Sequence, residues 1–262
     1  MPYARNGDIS VYYEVAGEGP PLVMLHANPC DHRMWMYQMA HFSTWFRVIA
    51  PDMRAYGRTD KPTQAYPFSA LVNDVLAVCK QEDVTEGILA GASMGSKMAF
   101  KFLTEHPGIF KANIQVGGNA FRGSSYDDRI RGYLGAGSTL AFYREQHLKE
   151  LFAPGFSETN RGKHLVSMIL EDSENLSGEA IATLFQSFDN VDLASEVDQI
   201  SIPTLIINGA YDNSLTGGKK TSELIPGGEH AIIEDAGHLC ILEKPEEFDK
   251  RFIDFLRSHG FF

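Results

Sequence analysis

The chain has 262 residues, enough for one domain with an insertion and for a large buried core without disulfide staples. Hydrophobic residues make up 44% and charged residues 22%, a soluble globular composition, and the formal charge of −11 argues against nucleic acid or an anionic membrane surface as a partner. No stretch reaches the roughly 18 apolar residues of a spanning helix, the opening MPYARNGDIS lacks a signal-peptide run, and Cys30, Cys79 and Cys240 form neither a disulfide framework nor a zinc pattern, so the expected location is the cytoplasm.

Ile9–Val15 alternates around Tyr12 and Tyr13 and stops at a Gly/Pro turn, which predicts an exposed early strand. Pro21–His26 is a short continuous apolar run, the pattern of a strand covered on both faces in a parallel sheet. Residues 32–45 read as helix, Phe46–Pro51 as a second buried strand, and DMRAYGRTDKP as the loop after it. In Ser69–Glu82 the spacing of Leu71, Val75, Val78 and Cys79 predicts a helix. Gly87–Ala90 reads as strand, Ser96–Glu105 as helix and Ala112–Val116 as strand, an alternation that argues a parallel α/β sheet. From residue 121 to 196 the pattern turns helical without a clear buried strand. It resumes with a strand at Pro203–Asn208, a helix near 215–224, a strand at His230–Glu234 and a last helix from Pro245. The expected division is therefore a core of residues 1–120 and 197–262, with 121–196 inserted as a helical cap over one face of the sheet.

Between the third buried strand and its helix stands Gly91-Ala92-Ser93-Met94-Gly95. A G-x-S-x-G stretch in that setting is a nucleophile elbow: the tight turn strains the serine and lifts its hydroxyl clear, while the glycines let strand and helix pass closely. A serine hydroxyl needs a base, and the base an orienting carboxylate. In this motif class the acid follows the serine and the histidine comes last. His238 lies in the C-terminal loop DAGHLC, with Gly237 freeing the loop to aim the ring back. Asp212 ends PTLIINGAYD directly after a buried strand and fits best as the acid; Asp235 is the rival. A developing oxyanion needs backbone N–H donors. Met94, at the helix start, supplies one, and Asn28 of the loop LHANPCD supplies the other, because Pro29 cannot donate. His26 is expected to brace that loop.

These stretches, LHANP, PDMRAYGRTDKP, GASMG, LIINGAYD and DAGHLCILEKPEEF, resemble the α/β-hydrolase fold family over nearly the whole chain. The nearest likeness is to its small cap-bearing esterases, lactonases and cofactor-free peroxidase-like members, including enol-lactone hydrolases. The resemblance implies the α/β-hydrolase fold, a mostly parallel central sheet flanked by helices with an inserted cap. Two positions depart from the usual pattern: His26-Ala27 stands where the family has His-Gly, and Arg54-Ala55 where it has Arg-Gly. A serine at the elbow separates the chain from haloalkane dehalogenases, which carry aspartate there.

The residues and the resemblance together imply a serine hydrolase that cleaves a small carboxylic ester or lactone through an acyl-enzyme, with no metal or organic cofactor. Carbon–carbon bond hydrolysis, amide hydrolysis and peracid formation use the same serine and stay open, and a non-catalytic ligand-binding receptor is the alternative from another class. Trp35, Tyr126, Tyr133, Phe142 and Tyr143 are candidate substrate-binding side chains, and Arg122, Arg129, Arg131 and Arg144 are candidates for a substrate carboxylate. The expected partners are the small-molecule substrate and, in a homo-oligomer, further copies of the chain.

Overall fold

The short apolar runs become neighbouring strands in the computed structural model, which describes residues 2–122, 126–171 and 175–261. Strands β1 (Tyr3–Asn6), β2 (Ile9–Ala16), β3 (Pro21–Leu25), β4 (Arg47–Pro51), β5 (Gly87–Ala92), β6 (Phe110–Val116), β7 (Thr204–Gly209) and β8 (Glu229–Ile233) form one sheet. Its order is β1-β2-β4-β3-β5-β6-β7-β8. Pairing is antiparallel at β1–β2 and β2–β4 and parallel from β4 onward. All six residues of β5 and of β7 are buried, as their unbroken apolar character requires of central parallel strands.

Helices cover both faces. On one side lie α2 (Phe68–Gln81) and α3 (Met94–Glu105), with Leu71, Val75, Val78 and Cys79 of α2 buried as their spacing predicts. On the other lie α1 (Met36–Phe42) and α10 (Pro245–Ser258), joined by the stacked rings of Phe42 and Phe252 at 4.6 Å. Between β6 and β7 the chain forms α4 (Asp127–Ala136), α5 (Leu140–Glu150), α6 (Asn160–Ile169) and α7 (Gly178–Phe188). Residues 123–125 and 172–174 of the expected insertion fall outside the described residues. Helix α8 (Leu215–Leu224) follows β7, and the single turn α9 (Cys240–Glu243) precedes α10.

Three local expectations change. Strand β1 was not anticipated: YARN is too short and polar to announce itself, and it is fixed by pairing with β2 from Tyr3–Tyr12 to Asn6–Ile9. The helix expected over 32–45 is a 3-10 turn at His32–Trp35 followed by α1, which stops at Phe42. Strand β5 runs to Ala92 and α3 begins at Met94, so only Ser93 separates them.

Candidate active site

A single residue between strand and helix leaves no room for a loop, and Ser93 absorbs the whole reversal at φ 53° and ψ −110°. Such a conformation in a residue other than glycine costs on the order of 1–3 kcal/mol and persists only when its surroundings dictate it. Here they do. The Ser93 N–H donates to the Val116 carbonyl at 2.8 Å, and the Ser96 hydroxyl donates to the Gly91 carbonyl at 3.0 Å. A Cβ on Gly95 would lie 2.4 Å from the Leu25 carbonyl oxygen, and one on Gly91 would lie 2.7 Å from that of Gly95. Both glycines are thus sites of close backbone approach.

Behind β7, Asp212 is buried and accepts from four groups. His238 Nδ1 lies 2.7 Å from its Oδ1, the Ser214 N–H and hydroxyl reach the same oxygen at 2.8 and 2.9 Å, and Asn208 Nδ2 donates to Oδ2 at 2.7 Å. Burial by itself would raise the Asp212 pKa, but the adjoining imidazole and these hydrogen bonds hold the carboxyl below its ordinary value. Of the two acids weighed for this role, Asp212 is the one at the imidazole. Glu243 steadies the histidine loop from below, accepting from the Gly237 N–H at 2.7 Å and the Ala153 N–H at 2.9 Å.

Ser93, Met94, Asn28 and His238 line one cavity of about 620 Å³, together with Tyr126 and Tyr143. A larger surface groove of about 850 Å³ runs between α1 and α10, and none of Ser93, Asp212 and His238 lines it. The elbow cavity is therefore the candidate site. His26 braces the Asn28 loop as expected: Nε2 accepts from the Met53 N–H at 2.8 Å, while Nδ1 faces the Ala27 carbonyl at 2.9 Å. Burial lowers its pKa and keeps the ring neutral. Of the two departures from the usual glycines, Ala55 takes a left-handed φ of 73° without glycine's freedom.

The other candidate substrate residues separate. Trp35 is 0% exposed and packs on Phe248 with ring centroids 6.5 Å apart, because it lies on the core side of the first helical turns. Phe142 is 64% exposed and points away from the cavity. Tyr133 lies one layer behind the wall, its hydroxyl 3.0 Å from His147 Nδ1 and its ring stacked on Phe185. Among the arginines, Arg129 lines the cavity and pairs with Glu150, Arg131 pairs with Asp128 on the surface, Arg122 is exposed, and Arg144 is buried with its guanidinium on the Pro29 carbonyl.

Several neighbours escaped the sequence reading. A Cβ on Gly117 would meet His238 Cε1 at 2.7 Å and Nδ1 at 2.8 Å, so this glycine makes space for the imidazole; the Gly-Gly pair after β6 was its visible signal. His147 and Lys97 also line the cavity, and nothing in their local sequence marks them. Asp31, His32 and Asp52 bring ligand-type atoms within 4.8 Å of one another, but these are engaged: Asp31 with Arg33, and Asp52 with His32 and the Arg58 N–H. Burial works against a charged His32, yet Asp52 outweighs it and raises the pKa, favouring a proton where a metal would need a lone pair.

The sequence model of the alpha/beta hydrolase fold family matches residues 20–245. A superfamily protein of Bacillus subtilis, YisY, is 28% identical, with 95% of this chain and 96% of that one aligned. 3-oxoadipate enol-lactonase 2 of Acinetobacter baylyi is 25% identical over 92% of this chain and 91% of its own. Among solved structures, a thermophilic esterase from Thermogutta terrifontis superposes with a TM-score of 0.87 at 24% identity, covering 95% of this chain and 94% of that one. The enol-lactonase of Burkholderia xenovorans superposes with the same TM-score of 0.87 at 24% identity, over 98% of this chain and 100% of that one.

Proposed function

The chain belongs to the alpha/beta hydrolase fold family, and on that premise we propose that it hydrolyses a small carboxylic ester or lactone through Ser93, His238 and Asp212. The observation that carries this reading is the His238–Asp212 hydrogen bond at 2.7 Å, whose imidazole opens onto the same cavity as the strained elbow serine. Similarity to an enol-lactonase supports the ester and lactone class.

In this mechanism Ser93 Oγ attacks the substrate carbonyl while His238 Nε2 takes its proton. Asp212 fixes the Nδ1–H tautomer and stabilises the imidazolium. The first N–H groups of a helix have no acceptor within it, so the Met94 N–H, at the start of α3, can serve the oxyanion together with that of Asn28. His238 then protonates the leaving alcohol or enol oxygen. Water, deprotonated by the same imidazole, releases the acid and restores Ser93. The helices α4 to α7 act as a cap over the serine, with Tyr126 and Tyr143 against the acyl or alcohol group. Arg129 is the cavity cation available to a substrate carboxylate.

Three buried free thiols suit a reducing cytoplasm, and no helix among the described residues is long and apolar enough to cross a membrane. The test is incubation with 4-nitrophenyl acetate and with a fluorophosphonate probe. Burst release and labelling at Ser93 are expected, both lost in Ser93→Ala. Labelling without ester turnover would redirect the reading to carbon–carbon, amide or peracid chemistry, and neither signal would point to a binding protein.

A further inference from the structure

The loop that carries Asn28 has few ties of its own. Pro29 has no N–H, and the turn is closed by the Cys30 N–H on the Ala27 carbonyl at 2.9 Å. Two side chains of α5 complete its fastening. Arg144 is 1% exposed and its Nη2 donates to the Pro29 carbonyl at 2.7 Å. His147, three residues on and hence on the same helix face, places Nδ1 3.3 Å from Asn28 Nδ2. The Asn28 Oδ1 is buried without a hydrogen-bond partner, so His147 is the polar contact that sets this amide. An amide nitrogen only donates, which leaves Nδ1 as a lone pair and the proton on Nε2. Burial supports that state, pushing the His147 pKa down to about 3, with the Arg129, His238 and Arg144 charges acting in the same direction.

We infer that Arg144 and His147 are positioning residues, through which helix α5 holds the Asn28–Pro29 backbone where its N–H can serve the oxyanion. This rests on the serine-hydrolase reading for its consequence, though not for the fastening itself. It also accounts for an arginine placed where desolvation is costly: its guanidinium is spent on a backbone carbonyl of the opposite layer, out of reach of solvent.

The test combines hydrogen exchange over residues 26–31 with kinetics and with affinity for a boronic acid that mimics the tetrahedral intermediate. His147→Phe and Arg144→Met are expected to accelerate exchange in that loop. They should lower kcat about 10- to 100-fold, the scale of a donor misplaced by about an ångström, and weaken the boronic acid by a similar factor, with KM within about threefold. His147→Asn keeps a polar atom at the Nδ1 position and is expected to restore most of kcat, whereas His147→Gln, which mimics Nε2, is not. Arg144→Lys should rescue part. Unchanged loop exchange in both variants overturns the inference, as does a faster loop with undiminished boronic-acid affinity. Rescue by Gln and not Asn, or a rise in KM at constant kcat, overturns it in favour of a cavity-wall contact. If the truncations fail to fold, the Asn-against-Gln comparison decides. Failure of the parent reading shows separately, as absence of probe labelling at Ser93 in the wild type, and the exchange data still judge the fastening.

Discussion

Gly117 shows how little space surrounds the imidazole. Its φ is +58°, and any Cβ there would overlap His238. Gly117→Ala is therefore expected to push the ring off its Asp212 bond and lower kcat at least about 100-fold, with the fold retained by circular dichroism. Asp212→Asn keeps the shape but loses the tautomer control, and turnover should fall roughly 10⁴-fold; unchanged activity would move the acid to another residue. The same groups set acid sensitivity. The His147 pKa lies near 3 when folded, against 6.5 for a free imidazole, so the unfolded chain binds the extra proton first. The stability this neutral ring contributes is complete above pH 6.5 and is lost as pH falls towards 3. Denaturant melts should show a shallower loss over that interval in His147→Asn. The serine, its candidate acid and its candidate base were legible as residues because each ends a recognisable strand or loop. Gly117, Glu243 and His147 were not: their roles arise from contacts between segments far apart in the chain, and no local pattern encodes them.

Among the elements, the elbow and the helices that bury its sheet depend most on particular side chains. Gly95 cannot accept a methyl group without moving β3, since the Leu25 and His26 carbonyl oxygens lie 2.4 and 2.7 Å from where it would sit. On the opposite face, Phe248, Phe252 and Leu256 of α10 are fully buried at helical spacing against Phe42 and Trp35. Phe252→Ala is expected to cost about 3–5 kcal/mol in denaturant unfolding, without changing the midpoint cooperativity. A loss below about 1 kcal/mol would mean that this face is not core. The central strands and main helices were readable because continuous apolar runs and the 3.6-residue period survive in single sequence. Strand β1 was hidden, since four residues with two polar ones gain their order only from β2. Trp35 misled for a related reason: nearness to the Asn28 loop in sequence does not say which way a helical turn faces.

Across the whole molecule, the link between the sheet and the helices above it runs through few buried polar ties, and Lys97 is one of them. From α3, one turn beyond Ser93, its Nζ donates to the Phe121 carbonyl at 2.6 Å and to that of Val191 at 3.1 Å. It thus holds both the departure and the return of the segment between β6 and β7. Burial lowers its pKa from 10.5 to about 8, so the folded chain sheds this proton before the unfolded one does. Stability of the wild type relative to Lys97→Met should therefore rise between pH 8 and 10.5; a falling difference would contradict the burial argument. The net charge of −11 lies on a molecule whose proposed substrate is small, and it bears on solubility more than on the chemistry. That chemistry is tested most directly by acid-quenching the protein during turnover of 4-nitrophenyl acetate and locating any covalent acetyl group by peptide mass spectrometry. An acetyl ester on Ser93 that accumulates in the burst is the predicted result. An unmodified Ser93 during sustained turnover, or an acyl group on another side chain, would contradict it.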